Sequence, residues 1–157
     1  MYKRQLEAFA TALLDACEAL AREIADDGEG ATHVLRIEVQ GCRSRDDARQ
    51  LARSVADSPL VKTAICGADP NWGRIVSAAG YAGVKFDPEK LVLRLNGVLL
   101  FSDGAPVAFD GGAVSASIQA SRETLIELDF GSGPGSIRFY SSDLTAEYVR
   151  LNADYHT

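Results

Sequence analysis

The chain has 157 residues, of which 46% are hydrophobic and 24% charged, with a net charge of −6 and a pI near 4.9. That length suffices for one ordinary domain with a sizeable core, and the acidity argues against non-specific nucleic-acid binding, which needs a basic surface. No run of about 18 apolar residues is present, so no membrane span is expected; Glu7 breaks the apolar opening MYKRQLEAFATALL, where a signal peptide needs an unbroken core, and a cytoplasmic location is expected.

In chain order, residues 4–25 read as a helix. Leu6, Phe9, Leu13, Leu14, Cys17, Leu20 and Ile24 take the spacing of one buried face, Arg4, Glu7, Asp15, Glu18 and Arg22 take the other, and Gly28 gives the stop. Residues 34–40 alternate, with Leu35, Ile37 and Val39 on one side, as in a strand with one face on a core. Ser44 reads as an N-cap with Asp47 three residues on, opening a helix that Ser58-Pro59 stops. LVKTAIC, 60–66, reads as a second strand. Asn71 caps a helix from Trp72 to about Ala79, with Trp72 as a core anchor.

The second half is richer in strands. Residues 91–95 and 98–101 flank Asn96-Gly97, a strong hairpin signal. Residues 113–121 read as a short helix. Residues 124–130 and 136–141, joined by the glycine-rich 131–135, read as a second hairpin. The closing segment from Asp143 reads as a helix with Asp143 as N-cap and Leu144, Tyr148, Val149 and Leu151 as core contacts. This order predicts a mixed α/β (α+β) fold, helices layered on a mixed sheet, with residues 1–157 as a single segment.

Chemistry is sparse. Cys17, Cys42 and Cys66 are far apart and form no C-x-x-C pair, so they read as buried free thiols, and no metal site is predicted. His33 and His156 are the only imidazoles, and no H-E-x-x-H, G-x-S-x-G or Walker loop occurs. Gly131 to Gly135 joins two strands rather than a strand and a helix, so it reads as a turn and not a phosphate loop. Glu29 lies between Gly28 and Gly30. Glycines there allow close approach of another group, so the carboxylate reads either as a solvated turn residue or as a ligand for a substrate ammonium.

Three stretches, DGEGATH after the first helix, SPLVKTAICGADPNWGRIVSAAGYAGVKFDP, and the terminal DLTAEYVRLNADYHT, resemble in order and spacing the C-terminal part of the bifunctional ornithine acetyltransferases, the glutamate N-acetyltransferases of cyclic arginine biosynthesis. The resemblance runs from about Phe9 to Thr157. It implies an N-terminal-nucleophile fold in which a threonine freed by self-cleavage takes the acetyl group of N-acetylornithine and passes it to glutamate, with its own α-amine as base. It implies no cofactor.

Residue by residue, the family's substrate-binding glutamate falls on Glu29, and its C-terminal asparagine and last threonine fall on Asn152 and Thr157. The nucleophile and the oxyanion donors of the α chain correspond to nothing here, so no catalytic residue is assigned. His33 stands where the family usually has lysine, and Ser142 where cysteine is common. The resemblance thus implies a segment supplying half a substrate pocket, inactive alone, whose partners are the N-terminal remainder (the α chain and the start of the β chain), further copies in a homo- or hetero-oligomer, and the two amino-acid substrates, with no nucleic acid and no membrane. The alternatives are a non-catalytic amino-acid-binding or interaction module descended from that family, or a related fold used for peptide hydrolysis.

Overall fold

The computed structural model describes residues 2–154. A long helix α1 (Tyr2–Asp26) leads to strand β1 (Val34–Cys42), then to helices α2 (Arg45–Asp57), α3 (Pro59–Cys66) and α4 (Trp72–Gly80). A 3₁₀ turn (Pro88–Lys90) precedes β2 (Val92–Leu95), β3 (Val98–Ser102) and the short β4 (Ala105–Pro106). Helix α5 (Gly111–Gln119), strands β5 (Glu123–Asp129) and β6 (Gly135–Ser142), and helix α6 (Ala146–Ala153) complete the chain. The strands form one sheet in the order β4-β3-β2-β5-β1-β6.

The mixed α/β expectation holds, and so do several local readings. Ser44 caps α2 by accepting from the Asp47 N–H, and Asn71 caps α4 by accepting from Arg74. The Asn96-Gly97 turn takes positive φ at both residues, the requirement of a tight two-residue hairpin. Asn96 also donates to Ser117 of α5 and accepts from the Leu125 N–H, so the turn is fastened to two other elements.

Five expectations are corrected. Residues 60–66 are helix α3, not a strand: Ser58 caps it through the Val61 N–H, and Pro59 sits in the first turn, where its missing N–H costs nothing. Residues 124–130 and 136–141 are not a hairpin, because β1 lies between them, parallel to β5 and antiparallel to β6. Asp143 does not cap the last helix. Thr145 does, by accepting from the Tyr148 N–H. Finally, the α1 stripe is not buried, Cys17 with it, and Tyr148, Val149 and Leu151 stand exposed on α6.

One face of the sheet carries the core. Leu35, Ile37 and Val39 of β1 and Ile126 and Leu128 of β5 meet Leu51 and Val55 of α2, Ile75 of α4, and Val114 and Ile118 of α5. Trp72 packs half-buried on this cluster and stacks on Phe101 of β3 with ring centroids 5.6 Å apart. Burying five branched side chains from the two central strands contributes roughly 1.5–3 kcal/mol each, so this layer dominates stability.

The other face is charged, and α1 lies across it on ion pairs. Arg138 of β6 reaches Glu18 at 2.5 Å and Glu38 at 2.9 Å, Arg22 reaches Glu123 at 3.0 Å, and Arg122 reaches Asp26 at 2.7 Å. Burial pushes the Glu38 carboxyl up, but hydrogen bonds from Arg36 and Arg138 outweigh it and hold the group below its ordinary range. The hydrogen bond from Arg122 likewise lowers Asp26.

A carboxyl with a lowered folded pKa stabilises the native state above its unfolded value and loses that contribution as pH falls through the folded one. Acidification below the ordinary carboxylate value of 4.5 is therefore expected to loosen α1 before the core. Hydrogen exchange read along a pH series should show protection falling first in α1. Simultaneous loss in α2 and β5 would contradict this.

Candidate functional site

The site grows out of the end of the β1–β6 ladder. Val34 pairs with Ser142, the last rung, and the Asp143 N–H continues the pattern by donating to the His33 carbonyl at 3.0 Å. That places the Asp143 side chain, fully buried, against the loop that enters β1. Its carboxylate accepts from the Thr32 N–H at 2.9 Å and the Thr32 hydroxyl at 2.5 Å, and His33 Nδ1 lies 3.3 Å away. Burying a carboxylate is costly unless it is hydrogen-bonded, and here both Thr32 donors meet it.

Two residues on, Thr145 both caps α6 and donates its hydroxyl to the Gly30 carbonyl at 2.7 Å. The first turn of α6 then rests on Gly30. This residue has φ +66°, and a Cβ there would stand 2.7 Å from the Tyr148 nitrogen. Gly30 is thus the point where backbone meets backbone, which only glycine permits.

The contact carries α6 past the loop so that Asn152 Nδ2 donates to Glu29 Oε2 at 3.3 Å, across 123 residues of sequence. The same Nδ2 also donates to the Tyr148 carbonyl at 2.9 Å. With both amide hydrogens engaged, Asn152 presents its carbonyl oxygen. Among the described residues no hydrogen bond reaches Glu29 Oε1. The pair therefore offers two acceptors side by side, one of them anionic, which suits a ligand bearing several N–H donors. Both side chains are exposed, so the arrangement is an open surface and not an enclosed pocket.

Of the sequence-derived residues, Glu29 and Asn152 lie together, and Thr157 and His156 lie outside the described residues. Sequence reasoning missed the fastening beneath them: Thr32, Asp143 in this role, and Thr145. No local pattern announces such a contact between positions more than 110 apart.

Two of the three cysteines have their thiols raised above the ordinary value. Burial pushes the Cys42 thiol up to about 11, helped by Asp47 and Asp129, so it is neutral near pH 7. Cys42 borders an apolar cavity of about 260 Å³ with Leu51, Val84, Phe86 and Phe130, at the opposite end of β1 from Glu29. Burial and then Asp143 raise the Cys66 thiol, against a hydrogen bond from Thr32. Among the described residues no group of three His, Cys, Asp or Glu side chains is arranged to hold a metal, and no helix is long and apolar enough to cross a membrane.

Compared with known proteins, residues 1–157 match the ArgJ family. The arginine biosynthesis bifunctional protein ArgJ of Rhodopirellula baltica is 50% identical over 138 residues, covering 88% of this chain and 34% of that protein. The glutamate N-acetyltransferase of Methanothermobacter thermautotrophicus is 44% identical over 156 residues, covering 95% of this chain and 39% of that protein. The crystal structure of the arginine biosynthesis bifunctional protein argJ from Bacillus halodurans superposes with a TM-score of 0.91 at 38% identity, covering 95% of this chain and 70% of that one. The chain thus spans little more than a third of the length of the curated relatives it matches.

Gly30→Ala should force α6 off the loop, since the left-handed conformation alone costs an ordinary residue about 1–2 kcal/mol. The expected result is loss of hydrogen-exchange protection at Tyr148 with the core amides unchanged. Asp143→Ala strands the Thr32 N–H and hydroxyl and should cost about 3 kcal/mol in urea unfolding. A loss under about 0.5 kcal/mol would mean that water replaces the carboxylate freely.

Proposed function

The chain belongs to the ArgJ family, and on that premise we propose that it forms part of an acetyltransferase that moves an acetyl group from N-acetylornithine to glutamate in arginine biosynthesis. Glu29 and Asn152, joined by Thr157, supply one wall of the amino-acid pocket. The rest of the family's length supplies the nucleophilic threonine and the donors that stabilise the oxyanion. A cytoplasmic setting goes with this reading. The single observation that carries the site is the Glu29–Asn152 contact at 3.3 Å. Its two free acceptors match the ammonium that N-acetylornithine keeps on its side chain.

The division of labour follows from the chemistry. A threonine hydroxyl attacks the acetyl carbonyl, its own α-amine takes the proton, and the ornithine amine leaves with that proton. Backbone or side-chain donors hold the charge that develops on the carbonyl oxygen. Glu29 and Asn152 touch none of these atoms. They fix the far end of the substrate, so that binding there places the acetyl group for attack.

Two outcomes test this. In the assembled enzyme, Glu29→Gln should raise the KM for N-acetylornithine about tenfold to hundredfold, the worth of a hydrogen bond to a charged group at roughly 1.5–3 kcal/mol, with much less effect on kcat. An unchanged KM would return Glu29 to an ordinary loop carboxylate. The isolated chain should move no acetyl group from labelled N-acetylornithine to glutamate above background, and turnover by the purified chain would point to a nucleophile within these residues.

A further inference from the structure

The cavity of about 260 Å³ at the Cys42 end of β1 takes no part in the arrangement at Glu29. Its apolar walls are the Cys42 side chain, Leu51 of α2, Phe130 after β5, and Val84 and Phe86 from the stretch between α4 and the 3₁₀ turn. Backbone contact fixes one rim. The loop before β6, whose Ser132 borders the cavity, lies directly on the end of β1 and the cap of α2. A Cβ at Gly133 or Gly135 would strike the Cys42 or Ser44 backbone. The wall at Val84 and Phe86 has no regular structure, and both side chains are only half-buried. Phe86 meets Phe130 edge-on, with ring centroids 4.8 Å apart.

Water is a poor occupant of such a space, because an ordered water needs two to four polar partners and these walls supply apolar atoms. A cavity of ~150 Å³ lined by aliphatic and aromatic side chains takes up benzene. By proportion, this one holds an apolar body of about ten non-hydrogen atoms. Ligand sites are commonly built this way, apolar inside with a few charged groups at the mouth that select and orient what enters.

The charged groups at this mouth are Arg43, Asp47, Lys85 and Asp87. Arg43 and Asp47 pair with each other at 3.3 Å, and Asp87 accepts from the Glu89 N–H at 3.1 Å. Among the described residues Lys85 makes neither an ion pair nor a hydrogen bond. The unmet charge is therefore a cation, which calls for an anionic head on the ligand. Burial, then Asp47 and Asp129, raise the Cys42 thiol to about 11, so the wall there presents a neutral S–H under a negative potential. The ligand's charge belongs on the Lys85 side. We propose that the cavity binds small monocarboxylates with an aromatic or branched aliphatic body, the body against Phe86 and Phe130 and the carboxylate at Lys85. This site is separate from the Glu29–Asn152 corner and stands independently of acetyl transfer.

The test titrates the ¹⁵N-labelled chain with phenylacetate and follows the backbone amides. The expected result is saturable shifts at Cys42, Ser132 and the 84–87 segment, with a Kd of about 0.1–1 mM, which ten non-hydrogen atoms reach at ordinary efficiency. Lys85→Gln should weaken phenylacetate about threefold to fivefold, the upper range for an exposed ion pair, and leave neutral phenylacetamide unchanged. Phenethylamine, a cation of similar size, should bind more weakly than phenylacetate. Val84→Trp fills the space and should remove binding without changing the circular dichroism. No shifts at about ten times the expected Kd, shifts centred elsewhere, phenethylamine binding as well as phenylacetate, or binding indifferent to both substitutions would each overturn the proposal. In the assembled enzyme, line broadening of 4-fluorophenylacetate in ¹⁹F spectra should persist and vanish with Val84→Trp. Its absence from the unsubstituted assembly would mean that another part of the protein fills the cavity, and would overturn the proposal as well.

Discussion

Asp143 is a carboxylate withdrawn from water, and the arrangement at the end of β1 depends on its being satisfied there. A buried charge is tolerated only where donors surround it. The Thr32 N–H and hydroxyl do so, with the His33 ring beside them. Because those donors belong to the loop before β1 and the carboxylate to the segment after β6, meeting the carboxylate's demand joins two stretches of chain about 110 residues apart. Thr145 and Gly30 then complete the fastening, and the Glu29–Asn152 contact is its geometric result. The Glu29–Asn152 pair needs little adhesive energy of its own, because the layer beneath fixes where each backbone runs.

Why that join forms at this spot follows from the sheet. β1 is inserted between β5 and β6, so it is paired on both edges and its ends are fixed. Antiparallel pairing with β6 brings the exit of β6 beside the entry of β1. Parallel pairing with β5 puts Arg122 at the same end, where it donates to the Ala31 carbonyl and to Asp26. Three segments therefore converge on one corner for topological reasons, and the corner collects whatever polar groups the sequence places there.

The parts of the fold legible in the sequence were those encoded locally. Ser44 and Asn71 as caps, the alternation of β1 and the Asn96-Gly97 turn each depend on neighbours within a few residues. LVKTAIC misled because its β-branched and apolar residues suit a strand. The decisive cue was Ser58-Pro59, an N-cap followed by a first-turn proline, which reads as a start as well as a stop. The supposed hairpin at 131–135 failed because strand insertion is non-local: nothing in the glycine run says that β1 will come between its arms. The α1 stripe was correctly periodic but wrongly placed, since periodicity shows that a face is apolar and not what covers it. At the site, Gly28-Glu29-Gly30 was visible as an anomaly, and pairing it with Asn152 needed the family resemblance. Asp143 was singled out for the wrong task, because an acidic residue shortly before a helix looks like a cap until Thr145 is seen to occupy that role.

The one tryptophan has a consequence for how this molecule reports on itself. Trp72 is stacked on Phe101 within the core layer, while α1 hangs on ion pairs on the opposite face of the sheet. Intrinsic fluorescence therefore watches the layer that dominates stability and is blind to α1. Far-ultraviolet ellipticity, by contrast, weighs α1 heavily, as 25 of 157 residues in one uninterrupted helix. The two signals are tied to structurally separate events, so coincidence of their transitions, the usual mark of all-or-none unfolding, is not built into this architecture.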